Sequence, residues 1–129
     1  MADVPDDLRY TKDHEWAKVD GKKIRVGITA FAVEQLGDIT LVELPKVGTK
    51  VEEGKAFGTV ESVKTLSDLF APIAGTIVEV NDKLASNPEL VNEAAYDKGW
   101  MVVIEVNDES KIASMMDAAT YRKHLEAGH

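Results

Sequence analysis

The run Thr59-Val60-Glu61-Ser62-Val63-Lys64-Thr65-Leu66-Ser67-Asp68 sets one lysine where a strand-like segment reverses direction. Most lysines are solvated surface cations. A lysine at the tip of a β-turn is in addition open to a modifying enzyme, at the end of a flexible four-carbon stem. Acylation there would remove the charge and lengthen the stem into a swinging arm. The strands on either side would hold the tip firmly enough for an enzyme to recognise its shape.

Other chemistry-bearing groups are sparse. His14, His124 and His129 have no second ligand at metal spacing. The chain has no Gly-x-Ser-x-Gly, no glycine loop ending in Gly-Lys-Ser/Thr and no cysteine nucleophile. Glu52-Glu53 and Asp108-Glu109 adjoin turn or cap signals, so they read as turn and helix-start acids rather than a catalytic pair. With no cysteine, any redox-active sulfur must arrive on a cofactor. No machinery of a self-sufficient enzyme is visible in the sequence.

The elements that must position Lys64 read as strands and turns. Ile24, Val26 and Ile28 alternate with Lys23, Arg25 and Gly27, and Asp20-Gly21 precedes them, which predicts a hairpin over 14–28. Thr29 is placed to cap a short helix through Leu36, with Gly37 ending it. Apolar runs at 39–44, 56–62, 68–71, 76–80 and 100–106, parted by Pro45, Gly48, Glu53-Gly54, Pro72 and Gly75, predict a small sandwich or barrel and not a parallel α/β sheet. Gly37-Asp38-Ile39 and Gly75-Thr76-Ile77 open strands, and Val60-Glu61 and Ile104-Glu105 lie late in strands, a faint internal echo. At the end, Ile112, Met115 and Met116, then Ala118, Tyr121 and Leu125 after a capping Asp117, predict two short helices at about 109–127 packed on a β core. The methionines read as core filler.

A length of 129 residues fits one domain, 1–129. The 15 basic and 23 acidic residues give a net charge of −8, which repels nucleic acid and anionic membranes. No apolar run approaches a membrane span. Met1-Ala2-Asp3-Val4-Pro5-Asp6-Asp7 has neither a secretory apolar core nor presequence arginines, so the expected location is cytoplasmic.

Glu61-Ser62-Val63-Lys64, followed by Ser67-Asp68 and Ala71-Pro72-x-x-Gly75, resembles the lipoyl-lysine hairpin of the glycine cleavage system H protein family. The likeness runs from about Tyr10 to Tyr121 through His14-Glu15-Trp16, Val26-Gly27-Ile28-Thr29, Gln35-Leu36-Gly37-Asp38, Glu43-Leu44-Pro45, Pro88-Glu89-Leu90-Val91-Asn92 and Tyr96-x-x-Gly99-Trp100. Each motif alone is weak, whereas their order and spacing together are specific. The chain departs from the usual pattern at Ala30-Phe31-Ala32-Val33, at Gln35 where some members have histidine, and at the bulkier Thr65-Leu66.

The resemblance implies a mainly β barrel-sandwich hybrid of the lipoyl/biotinyl type, with halves related by approximate two-fold symmetry and short C-terminal helices. It implies a monomeric, non-catalytic carrier with lipoate on Lys64, in a hairpin over about 56–71. Such a carrier takes an aminomethyl group from the pyridoxal-phosphate-dependent glycine decarboxylase. It passes the carbon to the tetrahydrofolate-dependent aminomethyltransferase and is reoxidised by dihydrolipoyl dehydrogenase. Glu61 is then expected to aid the lipoylating enzymes, and Glu15, Asp68 and Gln35 to line a cleft for the loaded arm. Alternatives are an H-like protein that relays lipoate to other complexes, a biotinyl carrier, for which flanking methionines rather than Val63 and Thr65 are typical, and an unmodified interaction module.

Overall fold

The computed structural model describes residues 3–128, so His129 lies outside the described residues. The chain folds as two antiparallel sheets. Strands β1 (Arg9–Tyr10), β2 (Glu15–Asp20) and β3 (Lys23–Ile28) lead into helix α1 (Ala30–Leu36), followed by β4 (Ile39–Glu43), β5 (Lys50–Val51), β6 (Ala56–Ser62), β7 (Leu66–Phe70) and β8 (Gly75–Val80). Then come short helices α2 (Lys83–Ser86) and α3 (Leu90–Glu93), strand β9 (Val102–Val106), a 3-10 helix at Glu109–Ser114 and helix α4 (Ala118–Glu126). One sheet runs β1-β2-β3-β9-β8-β5 and the other β4-β6-β7. This is the expected mainly β barrel-sandwich with short C-terminal helices. No helix among the described residues is long and apolar enough to cross a membrane.

The first hairpin follows from its alternation: Ile24 and Val26 are buried and Lys23 and Arg25 exposed. Its two-residue turn is Gly21-Lys22, closed by the Asp20–Lys23 pair, one residue later than the Asp20-Gly21 expected. Helix α1 starts where Thr29 accepts the Ala32 N–H on its side chain and stops at Gly37, whose φ of 80° suits glycine alone. At the C-terminus Asp117 caps α4 by accepting the Thr120 N–H, as expected, but the preceding segment is a 3-10 helix. Its tighter turn still buries Ile112, and Met115 closes the same core behind it.

Three apolar clusters hold the sheets together. One lies around Ile24, Ile77, Val102 and Ile104, and a second around Ile28, Val42, Val60 and Leu69; Leu44 and Phe57 touch both. The third joins Leu8, Tyr10, Trp16 and Tyr121 at the α4 end, with the Tyr10 and Tyr121 rings stacked at 4.6 Å. The internal echo survives as topology: β4 pairs with β6 and β8 with β9, each pair carrying a bulge. Its register does not match, because Ile39 faces Ser62 whereas Ile77 faces Ile104, an offset of two residues.

Candidate functional site

Lys64 sits in the turn joining β6 to β7, exposed to solvent. Ser62 braces that turn from within: its hydroxyl accepts the N–H groups of Lys64 and Thr65, both at 3.2 Å, and its own N–H donates to the Thr65 carbonyl at 2.8 Å. A hydroxyl bonding to nearby backbone N–H groups is the usual way serine shapes a turn. The turn is also tied to the body, because the Val63 N–H donates to the Asp38 carbonyl at 3.1 Å. Asn92 on α3 brackets the same segment, donating to the Gly37 carbonyl and accepting the Ile39 N–H, both at 2.9 Å.

The Lys64 stem lies over Gly37. A β-carbon at Gly37 would stand 3.4 Å from Lys64 Cε and 3.8 Å from Nζ, so a bare backbone seats the chain. Glu61, three residues before the lysine, is exposed and paired in register between Leu41 and Leu66. Leu66 and Val63 are exposed too, although apolar.

A cleft of about 150 Å³ opens beside this hairpin, lined by Asp13, His14, Glu15, Ile28, Ala32, Gln35, Leu36, Val60, Ser67, Asp68 and Leu69. The hairpin that presents Lys64 thus supplies one wall, and α1, whose end Gly37 marks, supplies another. Glu15, Gln35 and Asp68 meet here. They are not equivalent: Glu15 is only 2% exposed, whereas Asp68 and Gln35 stand on the rim in solvent. Larger hollows lie elsewhere, one of about 520 Å³ across Lys18, Arg25 and Glu79 and one of about 370 Å³ between Leu44 and Ala85. Neither contains a buried acid or borders Lys64, so volume does not select the site. A further hollow of about 340 Å³ shares Asp13 and Glu15 with the cleft.

Burial pushes the Glu15 carboxyl up from 4.5 to about 7. Thr11 opposes the shift by donating its hydroxyl to Oε1 at 2.6 Å, the nearby Asp13 charge adds to it, and the Phe70 N–H reaches Oε2 at 3.5 Å. Glu15 therefore lies near its midpoint at neutral pH, able to gain charge when a cation comes close. Behind it, His14 adopts the left-handed φ of 69°, rare outside glycine. Its Nδ1 bonds the Tyr121 hydroxyl at 2.7 Å, and that hydroxyl also bonds Thr29 Oγ1 at 2.8 Å. Helix α4 is thereby linked to the cleft floor and to the cap of α1. Phe31 packs against the His14 ring at 4.6 Å.

Sequence reasoning did not find Ser62, Gly37, Asp38, Asn92, Asp13 or His14 as parts of the site. Ser62 had a usable signal, a serine two residues before an expected turn tip. The roles of His14 and Asn92 depend on long-range placement that no local pattern encodes.

The model of the family described as "Glycine cleavage H-protein" matches residues 8–128. The chain is 52% identical over 125 residues to a glycine cleavage system H protein of Halalkalibacterium halodurans, covering 97% of this chain and 98% of the relative. It is 54% identical over 120 residues to the protein of that name in Bacillus subtilis, covering 93% and 94%. The crystal structure of a glycine cleavage system H protein from Mycobacterium marinum superposes with a TM-score of 0.87 at 39% identity, covering 95% of this chain and 99% of that one.

Proposed function

The chain belongs to the glycine cleavage H-protein family, and on that premise we propose that it is the carrier of the system, with lipoate joined by an amide to Lys64. The observation that carries this reading is the pairing of an exposed Lys64 on a braced turn with a cleft walled by the same hairpin and floored by Glu15. Held on Lys64, lipoate would supply a cyclic disulfide, the acceptor of a one-carbon amine unit and its electron pair that this cysteine-free chain lacks.

The residues present fit such a group. Lys64 offers an accessible amine, and Gly37 leaves room for the stem. Ile28, Leu36, Val60 and Leu69 give the cleft an apolar lining, and Asp13, Glu15 and Asp68 give it acids to face an ammonium. Glu15 does most of the electrostatic work because it is buried. A charge-assisted hydrogen bond in such a setting contributes roughly 1.5–3 kcal/mol, which slows escape of the cargo by about one to two powers of ten. Asp68 is screened by solvent at the rim and adds less. An approaching ammonium also lowers the Glu15 pKa, so docking below about pH 7 releases a proton and tightens as pH rises.

In this role the protein serves glycine decarboxylase, the aminomethyltransferase and dihydrolipoyl dehydrogenase in turn. Docking of the body makes each reaction of the tethered arm effectively intramolecular. Exposed Glu61 contributes to acceptance of the hairpin by the lipoylating enzyme. The test is reconstitution with the three enzymes after lipoylation. The parent is expected to support glycine-dependent NADH formation, and Lys64→Arg to support none while melting like the parent. Turnover by Lys64→Arg would overturn the assignment.

A further inference from the structure

We propose that Asn92 is a positioning residue for the lysine turn, holding from outside the hairpin the seat on which Lys64 rests. The inference builds on Lys64 as the attachment site, although the geometry itself involves no modification. Asn92 belongs to α3, remote in sequence from the hairpin. Its Nδ2 donates to the Gly37 carbonyl and its Oδ1 accepts the Ile39 N–H, each at 2.9 Å, so one side chain grips both ends of Gly37-Asp38-Ile39. A side-chain amide carries the donor and the acceptor this grip requires, and only one orientation of the amide satisfies both partners.

Between the two grips, the Asp38 carbonyl accepts the Val63 N–H at 3.1 Å, one residue from Lys64. That carbonyl shares one planar peptide with the Ile39 N–H, which Asn92 accepts, and the Gly37 carbonyl that Asn92 also holds belongs to the peptide before it, so both grips bear on its orientation. The Gly37 backbone fixed in this way is the surface beneath the Lys64 stem, with Cε 3.4 Å from where a β-carbon would stand. Because Ile39 is buried, its N–H is left without a partner when the amide is removed. The segment then moves, and the lysine turn moves with it. Asn92 thus governs where the amine is presented without touching it.

The test compares Asn92→Leu, which removes donor and acceptor, with Asn92→Asp, which keeps the acceptor for Ile39 and loses the donor to Gly37. Hydrogen exchange of the unmodified protein is expected to show the Val63 and Ile39 amides exchanging about tenfold faster in Asn92→Leu. Asn92→Asp is expected to protect Ile39 better than Asn92→Leu does, and the Ala127 and Gly128 amides at the remote end of α4, which open by local fraying, should keep the parent rate in both. In lipoylation, KM for the protein should rise several-fold with kcat within about twofold. An unchanged Val63 rate, or equal acceleration at Ala127 and Gly128, would overturn the proposal, as would failure of both variants to fold, since Asn92 would then be merely structural. If the parent itself is never lipoylated, the reading of Lys64 fails, and exchange at Val63 still decides the role of Asn92.

Discussion

Replacing Glu15 by Gln should make the protein more stable at high pH, because the parent buries a carboxyl that resists ionisation. Burial raises its pKa from 4.5 to about 7, so the folded chain holds this proton more tightly than the unfolded chain does. Between those values the native state binds more protons, and its stability falls as pH rises across the window. At 1.36 kcal/mol per pKa unit, a rise of that size costs about 3 kcal/mol, developed in full above about pH 7 and absent below about 4.5. Glutamine has a similar shape, retains an oxygen for the Thr11 hydroxyl and has no charge to desolvate. It loses only the long contact from the Phe70 N–H. Urea unfolding of parent and variant from pH 4 to 8, followed by the fluorescence of Trp16 and Trp100, measures the difference as a change in midpoint at constant slope. Near-equal stability at pH 4 and a gain approaching about 3 kcal/mol for the variant at pH 8 are expected. Parallel profiles over the whole range would refute the reasoning, since Glu15 would then titrate alike in both states.

The same residue should act in the opposite sense on the loaded arm: Glu15→Ala is expected to speed spontaneous release of formaldehyde and ammonia by about ten- to a hundredfold, with Asp68→Ala giving a smaller rise and lipoylation unchanged in both. Glu61→Ala should slow lipoylation with little change in melting temperature, because the side chain is exposed; equal loss of both would mark a structural residue. Tyr121→Phe removes the hydroxyl shared by His14 and Thr29 in a buried setting and should cost about 1–3 kcal/mol in urea unfolding, whereas a neutral result would mean that water replaces it.

The parts of the fold legible in the sequence are those with strong local patterns. Alternation through Ile24, Val26 and Ile28, and the pairing of Thr29 with Gly37 around α1, are local signals that tertiary packing did not override. Strand β7 begins at Leu66, earlier than the apolar run at 68–71, because Leu66 and Ser67 pair with Glu61 and Val60 without being buried. Backbone pairing extends a strand where hydrophobicity gives no hint. The two-residue strands β1 and β5 and the four-residue helices α2 and α3 are too short for any periodicity to register. At the site, Lys64 was conspicuous because turn position is a local property. The contrast between buried Glu15 and exposed Asp68 was not, since both are acids beside apolar residues and only the closing of the hairpin against α1 and the segment at 13–15 distinguishes them. The departures at Phe31 and Gln35 bear on the cleft directly, Phe31 by packing on His14 and Gln35 by standing on the rim.

The central claim, that Lys64 carries lipoate, is tested most directly by peptide mass mapping of the protein purified from its native host. One lipoyl increment is predicted on the peptide containing Lys64, with tryptic cleavage after that lysine blocked and Lys50, Lys55 and Lys83 unmodified. Lipoate on any of those three lysines, a biotinyl increment in its place, or a wholly unmodified Lys64 would contradict the account.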